Sequence, residues 1–139
     1  MPANDHKSLN TRWVEAWNAR DWAAEAASRT PDYVAHMSGV PVPLDAAGWD
    51  GFTQTFLAAF PDAQITIDAA VEEGALIASR WTMRGTHRGD FQGISATGRP
   101  IVMAGVDFSR VADGKVAEHW SQFDTLGLMQ QIGALPSRT

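Results

Sequence analysis

The chain has 139 residues, no cysteine and a formal net charge of −5. That length suits one hydrophobic core. The acidic balance argues against a nucleic-acid partner, and the missing thiols exclude disulfides, thiolate metal sites and cysteine nucleophiles. No run of about 18 apolar residues could cross a bilayer as a helix, and MPANDHKSLN lacks the apolar centre of a signal peptide. The expectation is a single domain over residues 1–139, in a reducing cytoplasm, with no membrane partner. Six tryptophans are many for this length. Each brings a large apolar area and an N–H that needs an acceptor, so a polar-lined cavity or a subunit interface would use both.

Helices come first in the chain. Leu9, Trp13, Ala16 and Trp17 recur at three- and four-residue steps, which predicts a helix from His6. Asn18-Ala19-Arg20 reads as a break, and Asp21 as the cap of a short helix over Trp22 to Ala27. Thr30-Pro31-Asp32 should end it, with a short strand at Tyr33 to Met37 and a loop through the two prolines of Val40 to Pro43. Trp49, Phe52, Thr53, Phe56 and Phe60 keep helical spacing, which predicts a third helix over Ala46 to Ala59, stopped by Phe60-Pro61-Asp62.

From Ala63 the period changes to two. Ile65, Ile67 and Ala69 alternate with polar residues, as in a half-buried strand. Glu73-Gly74 turns into a second strand, Ala75 to His87, and the glycine-containing stretch Arg88 to Arg99 reads as a loop. Further strands are expected over Pro100 to Val111 and Lys115 to Phe123, joined by the hairpin signal Asp113-Gly114. Asp124 should cap a last helix, Thr125 to Ile132. Helices followed by an antiparallel meander mean an α+β domain.

Five stretches carry a resemblance: WNARDW (17–22), PDYVAH (31–36), FPD (60–62), GTHRGDFQGISATGRP (85–100) and DGKVAEHWSQFDTLGLMQQIGALP (113–136). Together they resemble the SnoaL-like polyketide cyclases of the nuclear-transport-factor-2-like superfamily. The resemblance implies a cone, a strongly curved antiparallel sheet whose concave side is closed by helices over a pocket. It also implies subunits joined through the outer sheet face, hence a homodimer or higher homo-oligomer. Typical members carry an aspartate as general acid/base two residues after the position matching His119, where this chain has Ser121, and a histidine at the position matching Asp107. The carboxylate has either moved to the neighbouring strand or been lost with the cyclase chemistry.

Candidate site residues follow from both readings. Asp107 lies mid-strand between Val106 and Phe108, where a carboxylate is costly unless bonded. It is the candidate base, with an expected raised pKa, and a salt bridge to Arg80 or Arg84 is the alternative. His119 is its expected catalytic neighbour. Strand parity should turn His119, Ser121 and Phe123 inward with Asp107, and Glu118, Trp120 and Gln122 outward. His36 is expected at the pocket mouth, and Trp17, Trp49, Phe52, Phe56 and Trp81 along the pocket wall. His87 reads as structural and Asp124 as a helix cap.

No metal site is expected, because His36, His87 and His119 fall in different elements. No nucleotide cofactor is expected either, for want of a glycine-rich phosphate loop. The expected activity is cofactor-independent acid/base chemistry, an aldol-type cyclisation or an isomerisation, on a polyketide-like or other apolar carbonyl compound. Two alternatives stand beside it. One is epoxide hydrolysis of the limonene-epoxide-hydrolase kind, with Asp107 and Arg80 or Arg84 as parts of its set. The other is binding of a small ligand without chemistry.

Overall fold

A computed structural model describes residues 6–135. The elements in chain order are α1 (His6–Ala19), α2 (Trp22–Ala27), β1 (Arg29–Met37), α3 (Ala46–Ala59), β2 (Gln64–Glu73), β3 (Leu76–Thr86), β4 (Pro100–Ala112), β5 (Lys115–Phe123) and α4 (Thr125–Gln131). The expected caps at Asp21 and Asp124 both form, and Asp45 adds a third that the sequence reading did not name. Asp21, Asp45 and Asp124 each accept a backbone N–H from the first turn of the helix that follows, those of Ala24, Gly48 and Gly127.

The strands form one sheet in the order β1-β5-β4-β3-β2. From β2 to β5 it is the expected antiparallel meander. Asp113 and Gly114 both take positive φ, 53° and 73°, as a two-residue hairpin turn requires. β1 departs from the expectation in two ways. It starts at Arg29 and runs through Pro31, and it pairs with β5 in parallel. Proline supplies no N–H, and the register shifts between Arg29 and Val34, so Pro31 sits in an irregular part of an edge strand. Further register shifts fall between Ile67 and Ala69 and between Arg110 and Val111. Extra residues at such points bend a strand and raise its twist, which is how the sheet curls without closing.

The resembling motifs act as clamps. Asn18 of WNARDW donates to Ile65 O and accepts from Ile65 N, both at 2.8 Å, tying the end of α1 to the edge of β2. Arg20, at φ 60°, donates to Pro61 O and Ala63 O. Asp62 of FPD accepts both the backbone N–H and the hydroxyl of Thr86 at the end of β3. At the other side Gln131 of α4 exchanges two hydrogen bonds with the backbone of Val102, covering β4 where β5 has not yet joined it. These contacts hold α1 and α3 over the concave face, where the core and a cavity lie.

Candidate active site

The inward face of β4 and β5 brings a carboxylate, an imidazole and a hydroxyl together. Asp107 stands opposite Ser121 in the β4–β5 register, with His119 two residues along the same face. Asp107 Oδ2 lies 2.8 Å from His119 Nε2. Asp107 Oδ1 accepts from the Ser121 hydroxyl at 2.7 Å and from the Trp81 indole N–H at 2.9 Å. Trp81 reaches it because its cross-strand neighbour is Gly105, where a Cβ would stand 2.2 Å from the indole ring.

The second nitrogen of His119, Nδ1, lies 3.2 Å from the Tyr33 hydroxyl of β1. Nε2–H donates to Asp107; Nδ1 accepts from the Tyr33 hydroxyl in the neutral ring and donates to it when the ring is charged. Burial pushes the Tyr33 hydroxyl far up, which keeps it protonated. Trp13 and Trp49 press edge-on against the imidazole, with centroids at 5.1 and 5.7 Å. Both indole N–H groups donate to one oxygen of Glu25, Oε2, at 2.8 and 2.9 Å, and Arg29 donates to its other oxygen. Sequence reasoning missed Glu25. A glutamate in WAAEAA reads as exposed, and the signal available was the unfilled N–H demand of the tryptophans.

The expected raised pKa of Asp107 is corrected. Burial alone would push it up. The His119 charge beside it and the hydrogen bonds from His119, Ser121 and Trp81 together outweigh burial and hold the carboxyl below the usual carboxylate range. The carboxylate is therefore ionised at neutral pH. It has about four lone-pair positions; three are filled, and the open one is on Oδ2. The Asp107 side chain is 19% exposed against 3% for His119, so the carboxylate meets the cavity while the imidazole stands behind it.

The cavity measures about 90 Å³. Trp17, Trp49, Phe52, Phe56, Trp81, Ser121 and Phe123 line it, together with Asp107 and His119. Met37, Ile65, Ile67, Met83 and Met103 complete the apolar wall, and Asn10 and Thr53 add two polar groups from the helices. Asn10 falls at the same helical spacing as Trp13 and Trp17, the signal that could have found it.

His36 is not at the pocket mouth. Tyr33, Ala35 and Met37 point inward, so His36 points outward, where it lies 2.7 Å from Glu118 and stacks on Trp120. Arg80 and Arg84 also face outward, because β3 turns Ser79, Trp81 and Met83 inward. The salt bridge from Asp107 to either arginine does not form, and the epoxide-hydrolase set loses its arginine. His87 is structural as expected, buried against Phe60 and bonded to Thr97. Among the described residues no group of three or more His, Asp or Glu side chains could hold a metal ion. No described helix is long and apolar enough to cross a membrane.

A curled sheet with helices over a carboxylate-bearing cavity defines the cone-shaped α+β proteins of the nuclear-transport-factor-2-like class. The family model for SnoaL-like polyketide cyclase matches residues 7–132, and the chain belongs to that family. Among solved structures, AclR from Streptomyces galilaeus, described as a candidate hydroxylase, is 31% identical at a TM-score of 0.87, over 96% of this chain and 83% of its own. IdmH from Streptomyces antibioticus, described as a candidate polyketide cyclase, is 34% identical at 0.86, over 93% and 99%. TsrD from Streptomyces laurentii is 27% identical at 0.82, over 97% and 99%. No curated protein sequence matches significantly.

Proposed function

We propose that this protein is a cofactor-independent acid/base enzyme for a flat, apolar carbonyl compound of polyketide type, with Asp107 as the base. One observation carries the reading. In a mostly apolar cavity, a single carboxylate is held ionised by three donors and keeps one lone pair on Oδ2 open. The similarity to a candidate polyketide cyclase supports the substrate class.

The chemistry follows from that lone pair. Asp107 Oδ2 takes a proton from an acidic carbon, and the bonding electrons pass into the adjacent carbonyl as an enolate. The enolate carbon attacks a second carbonyl of the same molecule, forming the ring bond, and the resulting alkoxide takes the proton back from Asp107. An isomerisation returns the proton to a different carbon instead. A carboxylate of lowered pKa is a weak base and, once protonated, a strong acid. The substrate carbon must therefore be acidic in its own right, as between two carbonyls. His119 acts from behind by orienting and stabilising the carboxylate, and Ser121 and Trp81 fix its other oxygen.

Assembly belongs to the same proposal. Val102, Val106 and Phe108 of β4 and Trp120 of β5 are exposed together on the outer sheet face. A homodimer through that face would cover them.

The test needs no knowledge of the natural substrate. In D2O the protein should speed exchange of the acidic C–H of aromatic 1,3-dicarbonyl compounds, followed by NMR, and leave simple monoketones unexchanged. Tight binding across such a panel with no acceleration would leave a ligand-binding protein without chemistry.

A further inference from the structure

We propose that Asn10 and Thr53 form an oxygen-recognising wall of the cavity, which receives a carbonyl or enolate oxygen of the ligand from the helical side. The proposal rests on Asp107 being the base, since it assigns a second role within the same cavity.

Asn10 of α1 is 5% exposed and Thr53 of α3 is 4% exposed, and both line the cavity. Asn10 Nδ2 and Thr53 Oγ1 are buried without a hydrogen-bond partner. A buried donor left unpaired destabilises the fold that contains it, so native proteins keep few and each calls for an explanation. Packing does not supply one. Asn10 lies one turn before Trp13 on the inward face of α1, where leucine would fit the apolar wall. A threonine within a helix commonly satisfies its hydroxyl on the carbonyl four residues back. Thr11 does so with Lys7 O, and Thr53 does not.

The Trp13, Trp49, Trp81, His119 and Ser121 donors around the cavity are already engaged. The indoles of Trp13 and Trp49 donate to Glu25. Trp81, His119 and Ser121 donate to Asp107. A carbonyl oxygen entering the cavity is repelled by the Asp107 carboxylate and finds those donors occupied. Asn10 and Thr53 line the same cavity, their amide nitrogen and hydroxyl have no partner, and both groups can donate. The ligand class that satisfies the whole cavity carries an acidic carbon for the sheet wall and an accepting oxygen for the helical wall, on a flat apolar frame.

The experiment compares α-tetralone with tetralin, which share one bicyclic frame and differ by a carbonyl. Titration calorimetry on the full chain gives both dissociation constants for wild type, Asn10→Leu and Thr53→Val. The ratio of the tetralone to the tetralin constant should rise about tenfold in Asn10→Leu and several-fold in Thr53→Val, as expected for a lost hydrogen bond to a ligand. The unfolding midpoint of ligand-free Asn10→Leu should equal or exceed that of wild type, because an orphaned donor is replaced by an apolar group. A ratio unchanged in both variants, a lower ligand-free midpoint for Asn10→Leu, or a wild type that binds neither compound would overturn the proposal. The ratio reports binding of a weakly acidic monoketone, so a failure here is distinguishable from a failure of Asp107 to take a proton.

Discussion

His119 Nε2 lies 2.8 Å from Asp107 Oδ2, and the same imidazole is held from its other nitrogen by Tyr33. The contact determines how Asp107 titrates. Its folded pKa is lowered, so the carboxylate's contribution to stability is complete above its unfolded value of about 4 and is lost as pH falls through the lower folded value. Exchange or turnover that needs the ionised base should fall off only below the ordinary aspartate range. His119→Leu removes a donor and a charge that lower the Asp107 pKa, so the acid limb should move to higher pH. A pH–rate profile of the two proteins checks this; an unmoved limb would remove His119 from the positioning role.

Gly105 allows Trp81 to lie against β4. Gly105→Ala puts a methyl group where the indole ring stands, so Trp81 must move and its bond to Asp107 Oδ1 must lengthen or break. Overpacking of this kind costs about 1–3 kcal/mol. Denaturant unfolding should show a loss of that size. Trp81 fluorescence, read in a variant keeping only that tryptophan, should shift to the red.

Glu25 is a buried carboxylate that gathers Trp13, Trp49 and Arg29. Glu25→Ala leaves two buried indole N–H groups unpaired and leaves Arg29 with Asp50 as its ion-pair partner. Removing one member of a buried pair costs about 3–5 kcal/mol. Urea unfolding should show a drop in that range, several times the effect of removing Glu118, whose pairs with His36 and Arg110 are largely exposed.

Much of this site could be read from alternation alone. In EHWSQFD the parity of β5 turned His119, Ser121 and Phe123 inward and Trp120 outward, because one face of the strand is buried. The same parity was present in Tyr33-Val34-Ala35-His36-Met37 and would have sent His36 outward. It went unused because nothing in the sequence indicates that β1 joins β5 in parallel, and without a neighbour the strand has no inner face. Arg80 is a similar case, lying next in sequence to inward Trp81 and therefore facing outward. The pKa of Asp107 was misjudged for a different reason. The sequence shows the burial of a carboxylate between Val106 and Phe108 but not the three donors that converge on it from β3 and β5. The tryptophans signal a need for acceptors, but which carboxylate serves Trp13 and Trp49 could not be read, since they lie 12 and 24 residues from Glu25 on helices whose packing is set by the sheet.

Phe108 is 50% exposed on the outer face and stands across from Trp120. If copies of the chain meet there, Phe108→Asp should bury an unpaired charge in the interface and release monomers. Light scattering at micromolar concentration should read twice the chain mass for wild type and the single chain mass for the variant. Circular dichroism should be unchanged, because Phe108 lies outside the core.

The most direct test of the base assignment is Asp107→Asn, which keeps the shape of the side chain and removes its basicity. On any 1,3-dicarbonyl compound whose C–H exchange the wild type accelerates, the variant should retain binding within a few-fold and lose about 10²–10⁴ of the rate, the usual contribution of a general base. A variant that binds the compound and exchanges its proton at the wild-type rate would contradict the assignment of Asp107 and, with it, the proposed chemistry.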